Sequence, residues 1–136
     1  MASEADGVEA VNAALYAAFE SADVDAMANV WDDAEPGAVV CVHPGWPMLR
    51  GRSSVLRSWA AVMAGTDYIQ FLLTDVQVSV DGDSAVVTCT ENVLTSSDIG
   101  ENAPVVATNV FRRRPDGWRL QVHHASPVLG RLVDDD

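Results

Sequence analysis

Residues 39–52 read Val-Val-Cys-Val-His-Pro-Gly-Trp-Pro-Met-Leu-Arg-Gly-Arg, and the rest of the chain is organised around this stretch. Its start is rich in valine and ends at His43, which is typical of a strand over residues 38–43. Two prolines and a glycine follow and interrupt regular strand pairing. A helix then begins around residues 52–54 and ends at Gly65. The stretch predicts a strand that places His43 at a turn, directly ahead of a helix.

The segment before this stretch has the spacing of two helices. Over residues 3–22 one helical face is apolar, formed by Val8, Val11, Leu15, Ala18, Phe19 and Ala22. Ser3 and Asp6 are spaced as in a capping box at the start of this helix. A second, shorter helix is expected from Asp23, ended by Pro36 and Gly37. Its buried side would carry Val24, Met27, Val30 and Trp31; that of the third helix would carry Val55, Leu56, Trp59, Val62 and Met63.

The remainder of the chain has the pattern of an antiparallel meander. Strands are expected over residues 68–80, 84–95, 104–114 and 118–126, with a polar loop at 96–103. Asp81-Gly82-Asp83 and Pro115-Asp116-Gly117 have the composition of tight turns. Helices that precede a run of strands predict one α+β domain over residues 1–136. The length of the first of these strands suggests a bulge, which would let the sheet curl around the helices and leave a cavity on its concave side.

Composition and charge narrow the classes of partner. The chain has 20 acidic and 8 basic residues, a net charge of −12, and all its basic residues are Arg. A surface this acidic repels nucleic acids and anionic membranes. No apolar run approaches the roughly 20 residues of a membrane span, and the acidic start lacks the pattern of a signal peptide. Cys41 and Cys89 lie in expected strands and are interpreted as reduced core thiols, so we expect a cytoplasmic protein.

Strand alternation suggests which polar side chains face the concave side. In the last strand Trp118, Leu120, Val122, His124 and Ser126 share a face, and this apolar set predicts that His124 points inward. His123 would then point outward or into a subunit contact. On the neighbouring strand, Asn109 shares a face with Ala107 and Phe111 and is expected to be buried.

Glu91 lies on the more apolar face of its strand, with Val87, Cys89 and Val93. The opposite orientation remains open, because a shift of one residue in register reverses every side chain. If Glu91 points inward, desolvation raises its pKa and makes it an acid or base near neutral pH.

His43 is placed at the mouth of the expected cavity, where its ordinary pKa of about 6.5 allows either protonation state. Trp31, Trp46 and Trp59 could form flat walls for a ligand. A structural alternative stays open, in which the histidines only satisfy hydrogen bonds and the tryptophans fill the core. Cys41 and His43 are too few for a zinc site, so we expect no metal and no cofactor. Arg112, Arg113 and Arg114 are interpreted as a solvated turn.

Six segments together resemble the SnoaL-like family of the NTF2-like superfamily. They are residues 43–46, 49–52 with Ser58 and Trp59, 91–92, 108–111, 117–119 and 123–127. The resemblance implies a cone in which a strongly curved, mostly antiparallel sheet wraps around three N-terminal-side helices. It also implies a homodimer through the outer sheet face. Relatives include isomerases, cyclases, dehydratases, epoxide hydrolases and non-catalytic domains. The steroid isomerase pattern needs a tyrosine and two acids, and neither Tyr16 nor Tyr68 has an obvious acidic partner in the sequence.

Two functional hypotheses follow. In the first, the chain is an enzyme that isomerises, dehydrates or cyclises a small apolar molecule by proton transfer. His43, Glu91 and His124 would be its acid–base groups. The ligand would contact Trp46, Trp59, Asn109 and Phe111. In the second, the same fold is a non-catalytic ligand-binding or dimeric interaction domain.

Overall fold

The computed structural model describes residues 3–96 and 104–130. Three α-helices lie in the first half: α1 (Glu4–Ser21), α2 (Val24–Val30) and α3 (Arg52–Ala64). Six strands form one sheet: β1 (Val40–Val42), β2 (Leu49–Arg50), β3 (Ile69–Asp81), β4 (Ser84–Thr95), β5 (Val105–Arg114) and β6 (Gly117–Pro127). A 3₁₀ turn, Pro36–Ala38, precedes β1. Within the described residues, no helix is both long and apolar enough to cross a bilayer.

The ends of the first two helices follow local chemistry. Ser3 and Asp6 form the expected capping box, which satisfies two backbone N–H groups that the helix leaves free. Helix α1 ends at Ala22, whose φ of 53° is left-handed. Asp23 then accepts a hydrogen bond from the backbone N–H of Ala26 and caps α2.

The sheet has the order β2-β1-β6-β5-β4-β3, and among the strand pairs of residues 3–96 and 104–130 only β1–β6 is parallel. It is open rather than closed, and α1 packs against β3, β4 and β6. This confirms the predicted α+β cone. Strand β2 is not among the predicted elements, since two residues between Pro47 and Gly51 are too short to show a strand period.

Two β-bulges bend the sheet. In β3 the register shifts between Thr74 and Gln77, and Asp75 has a left-handed φ of 53°. In β6 Val110 pairs with Val122 while Phe111 pairs with Leu120, which leaves Gln121 as the extra residue. Bulges of this kind increase strand twist, so they allow the long strands to curve around the helices.

The bulge at Gln121 corrects the prediction for the two adjacent histidines. Before it, Trp118 and Leu120 face the core as expected. After it the alternation is inverted, so His123 is buried at 3% exposure whereas His124 is exposed on the outer face. The prediction that His124 points inward is therefore wrong, because one extra residue moves each following side chain to the other side of the sheet.

The main core lies between the helices and the concave side of the sheet. Its largest fully buried apolar side chains are Trp31, Phe111, Leu15, Met27 and Leu120. Phe111 is fully buried in this packed core and is not among the residues that line the cavity between the helices and the sheet, which corrects its assignment to a ligand. Trp31 is likewise core.

The predicted solvated arginine turn is also incorrect. Arg114 donates two hydrogen bonds to the fully buried carboxylate of Asp32, over 2.7 and 2.9 Å. Burial alone raises the pKa of Asp32, but hydrogen bonds from Arg114 and from backbone N–H groups outweigh it and lower the pKa below its ordinary value. Arg113 stacks on Trp118 and pairs with Glu4 and Asp83.

We expect Arg114→Leu to lower the free energy of unfolding by about 3 kcal/mol, because it leaves the buried Asp32 carboxylate without its cation. Urea unfolding followed by circular dichroism at pH 7 measures the change. The control is Arg119→Leu, which breaks an ion pair with the exposed Asp116 and should cost less than about 1 kcal/mol. Equal losses in the two variants would contradict this role of Asp32.

Candidate functional site

A cavity of about 280 Å³ lies between the helices and the concave side of the sheet. Four polar side chains reach it: Tyr16 from α1, His43 after β1, Glu91 from β4 and His123 from β6. The rest of its wall is Phe19, Pro44, Trp59, Val62, Ile69, Phe71, Val93 and Val105. A larger surface depression of about 560 Å³ beside β3 and β4 is lined by residues without ionisable side chains. A third depression of about 340 Å³ contains Glu4, Arg113 and Arg114, of which Glu4 and Arg113 are paired with each other and Arg114 with Asp32. We therefore take the 280 Å³ cavity as the candidate site.

Glu91 is the carboxyl group of the cavity. It is 4% exposed, and the Tyr16 hydroxyl donates a hydrogen bond of 2.7 Å to its Oε2. Burial raises the pKa of Glu91 to about 7, against an opposing effect of the Tyr16 hydrogen bond. Burial and the nearby Glu91 charge also raise the pKa of Tyr16, so its hydroxyl keeps its proton. Glu91 can thus give or take a proton at neutral pH.

Asn109 connects helix α1 to strand β6 behind the cavity. Its side-chain amide donates to Asn12 Oδ1 over 2.8 Å and to the Tyr16 hydroxyl over 3.3 Å. Its Oδ1 lies 2.6 Å from Nδ1 of His123. Asn12 and Asn109 are both almost completely buried. Because each hydrogen bond fixes the next, Asn109 holds Tyr16 and His123 in place.

His43 is fixed by helix α3. Its Nε2 lies 2.8 Å from the hydroxyl of Ser58, and Trp59 from the same helix packs edge-on against its ring. Trp59 also contacts the His123 ring, with 5.7 Å between the two ring centroids. Since α3 supplies both partners, the position of His43 depends on the turn at Gly51 that starts this helix.

Both cavity histidines are held in the neutral form. Burial lowers the pKa of His43 to about 4. Burial lowers the pKa of His123 to about 3, with smaller effects from the charges of His43 and His124. At pH 7 the cavity therefore contains two uncharged imidazoles beside a carboxyl group that is close to half ionised.

Cys41 and Cys89 are free and buried. Burial raises the pKa of Cys41 to about 12 and that of Cys89 above its ordinary value. Protonated thiols are weak nucleophiles, so neither is activated for covalent catalysis. Among the described residues, no three His, Cys, Asp or Glu side chains gather in a group suited to a metal ion.

A family model for the SnoaL-like domain matches residues 8–130, which is most of the chain. The chain belongs to this SnoaL-like family. A solved structure of a candidate dehydratase of the NTF2-like family from Streptomyces avermitilis is 51% identical, with a TM-score of 0.86. The match covers 93% of this chain and 97% of that one.

Two further relatives have different names. A candidate calcium/calmodulin-dependent protein kinase type II association domain from Thiobacillus denitrificans is 33% identical, with a TM-score of 0.80. That match covers 88% of this chain and 94% of the other. The F-box protein SKIP8 of Arabidopsis thaliana is 26% identical over 92% of this chain. This chain spans 50% of the length of SKIP8, so the relationship covers half of that protein.

The SnoaL-like domain brings together three of the residues predicted for the site and separates the others. His43, Glu91 and Trp59 line the cavity. Asn109 is buried behind it and touches His123. Trp46 is 42% exposed and lies against the outer side of His43, with 4.8 Å between ring centroids, instead of lining the cavity.

Sequence reasoning missed Tyr16, His123, Asn12 and Ser58. Asn12 and Tyr16 are four residues apart and therefore share a side of α1, next to the apolar face that the spacing revealed. That pair of polar side chains beside a buried face was a usable signal. Tyr16 also has the acidic partner that the sequence did not reveal, namely Glu91, 75 positions away.

The raised pKa of Glu91 predicts a pH-dependent stability of the SnoaL-like domain. In the folded state Glu91 holds its proton up to about pH 7, whereas in the unfolded chain it loses it near about 4.3. The resulting stabilisation is complete below the unfolded pKa and is lost as pH rises through 7. Between pH 6.5 and 8 we expect the wild type to lose about 1 kcal/mol more than Glu91→Gln.

Urea unfolding of both proteins across this pH range measures the difference. Comparing the two proteins cancels the contributions of all other titrating groups to the pH dependence. The two histidines have lowered pKa values, so they affect stability only below about pH 6.5. Glu9→Gln replaces an exposed glutamate of α1 and is the matched control, which should follow the wild type. A Glu91→Gln variant with the same pH dependence as the wild type would show that Glu91 is ionised throughout.

Proposed function

We propose that this SnoaL-like domain is an acid–base enzyme that isomerises, dehydrates or cyclises a small, largely apolar organic molecule. The observation that carries the proposal is the Glu91 carboxyl group. It lies in an apolar cavity, accepts a hydrogen bond from Tyr16, and has a pKa of about 7. A general acid or base works best when its pKa is close to the working pH, and such groups contribute about 10²–10⁴-fold to rate.

Dehydration is the reaction that makes the fullest use of these groups. Ionised Glu91, whose pKa is about 7, would take a proton from carbon next to a carbonyl group. The ring nitrogens of His43 and His123 would accept a hydrogen bond from the substrate. Protonated Glu91 would give its proton to the hydroxyl group on the following carbon. The C–O bond breaks, a C=C bond forms and water leaves, so the step needs no oxidant or reductant. The name of the Streptomyces avermitilis relative, a candidate dehydratase at 51% identity, favours the same class.

The role of Tyr16 is to position and tune Glu91. Its hydroxyl remains protonated and donates to Oε2, which leaves the other carboxyl oxygen for a substrate. Trp59 of α3 and Phe71 of β3 supply flat apolar walls of the cavity. The cytoplasmic location expected from the sequence is part of this proposal, and two buried free thiols suit a reducing compartment.

An activity screen tests the proposal. Small neutral β-hydroxy ketones and ketones are incubated with the protein in D₂O, and loss of water or exchange of the α-proton is followed by proton NMR. For a substrate found in this way, we expect Glu91→Gln to lower kcat by about 10²–10⁴-fold, because glutamine keeps the Tyr16 hydrogen bond but cannot transfer a proton.

Glu9→Gln is the matched control and should turn over at the wild-type rate. Glu91→Gln at full activity would remove Glu91 from the mechanism. Ligands that bind in the cavity without turnover of any compound would favour the non-catalytic binding domain instead.

A second candidate function, self-association, is favoured by the outer face of the sheet. Leu72 is 67% exposed and Val106 is 43% exposed, and Val86 and Leu94 are also exposed. The strand registers place all four on the same face, together with His124. The Thiobacillus denitrificans relative is named as an association domain, which supports contact between copies. We propose that this face joins two copies of the chain in a homodimer.

Val106→Asp tests the homodimer. A carboxylate at this position would be buried without a partner in the interface, so we expect the protein to run as a monomer. Light scattering coupled to size-exclusion chromatography measures the mass. Ala13→Asp changes an exposed residue of α1, on the other side of the sheet, and serves as a charge-matched control. A monomeric wild type, or a dimeric Val106→Asp variant, would contradict the assignment of this face.

A further inference from the structure

The proton on each cavity histidine can be placed from its hydrogen-bond partners. The hydroxyl hydrogen of Ser58 is directed to the carbonyl oxygen of Val55, over 2.6 Å. Ser58 Oγ must therefore accept in its second hydrogen bond, which is to Nε2 of His43. Nε2 carries the proton, and in the neutral ring Nδ1 carries the lone pair.

The same reasoning applies to His123. The amide nitrogen of Asn109 is occupied with Asn12 and Tyr16, so its Oδ1 is the atom that faces Nδ1 of His123. The orientation of the Asn12 amide is consistent with this assignment. Its N–H group interacts with the Cys89 thiol and lowers the pKa of that thiol, so its Oδ1 is left to accept from Asn109. An amide oxygen only accepts, so Nδ1 of His123 carries the proton and Nε2 carries the lone pair.

Each imidazole thus donates its single N–H to an oxygen of the protein, and its other nitrogen keeps a lone pair that can accept a hydrogen bond. The Tyr16 hydroxyl likewise gives its hydrogen to Glu91. Among the described residues that line the cavity there is no arginine, and the chain contains no lysine. Two polar donors remain in this part of the cavity wall. One is the proton of Glu91, and the other is the indole N–H of Trp59, which has no hydrogen-bond partner among the described residues and lies close enough to Cys41 to lower the pKa of its thiol.

We propose that the cavity selects uncharged molecules that present a hydrogen-bond donor, such as a hydroxyl group, on a small apolar body, and that it rejects carboxylates. This inference deepens the proposed function, since it names the class of substrate for the same site. A hydroxyl group finds acceptors in the two ring nitrogens. A carboxylate would lose its hydration, meet no cation and be repelled by ionised Glu91.

The size of the cavity narrows the class further. About 280 Å³ is just below the usual range of about 300–1,000 Å³ for drug-sized ligands. Aromatic walls from Phe19, Trp59 and Phe71 favour a flat or cyclic body. A single six-membered ring with one hydroxyl-bearing substituent fits this description.

Three probes of the same shape test the selection: benzyl alcohol, benzoate and toluene. Affinities are measured at pH 7.5 on the wild-type protein by the change in tryptophan fluorescence, with ligand-observed NMR as a second measurement. We expect benzyl alcohol to bind at least about tenfold more tightly than benzoate. We expect it to bind several-fold more tightly than toluene, as one additional hydrogen bond allows.

Two variants test whether the ring nitrogens cause the tighter binding of benzyl alcohol. In His43→Phe and His123→Phe the flat ring is retained but the acceptor is removed, so the advantage of benzyl alcohol over toluene should shrink in at least one of them. Thermal unfolding identifies a variant that fails to fold, and the comparison of probes on the wild type needs no variant.

Benzoate binding as tightly as benzyl alcohol, or toluene matching the alcohol, would overturn the inference. The test is separate from catalysis because it measures binding alone. Selective binding of the alcohol without turnover of any compound would leave the inference standing and remove the enzymatic proposal.

Discussion

Buried polar groups must find hydrogen-bond partners, and this constraint shapes the centre of the molecule. Glu91, Asn109 and His123 come from three neighbouring strands and would each be costly to bury alone. Helix α1 supplies what they lack, because Asn12 and Tyr16 project from it into the sheet. The resulting network ties the first helix to strands that follow it by 75 to 97 positions in sequence. The same hydrogen bonds therefore hold α1 against the sheet and position the polar side chains of the candidate site.

The hydrogen-bond network behind the cavity occupies its donors within the protein and leaves acceptors for a ligand. The donors on Asn109 and Tyr16 are directed to protein acceptors, whereas the lone-pair nitrogen of each imidazole has no protein donor among the described residues. Within the described residues, no hydrogen bond joins Glu91 to His43 or His123. Tyr16 and Asn109 connect Glu91 to His123 only indirectly, and His43 is bonded to Ser58 instead. An ion pair would have fixed a carboxylate and an imidazolium in place. Separation instead leaves a carboxyl group with a pKa of about 7 beside two neutral imidazoles, so Glu91 is the group of the cavity that can exchange a proton near neutral pH.

Much of the fold could be predicted because its signals are local and repeated. The helical spacing of Val8, Leu15 and Ala18, the capping box at Ser3, and the turns at Gly82 and Gly117 each depend on neighbours in sequence. Strand β2 could not be predicted, because two residues carry no period. The partners of Arg114 and Tyr16 could not be predicted either, since Asp32 and Glu91 reach them only through the three-dimensional fold.

The largest error in the site has a single physical origin. Alternation along β6 is a reliable guide only while the strand stays regular, and the extra residue at Gln121 inverts it. The bulge also assigns the two histidines to different surfaces. His123 lines the cavity as a neutral imidazole, whereas His124 lies on the outer face with Val106. Side chains along a strand point alternately to the two faces of the sheet, and one inserted residue determines which histidine points to which face. The position of Gln121 therefore determines which histidine lines the cavity and which lies on the outer face of the sheet.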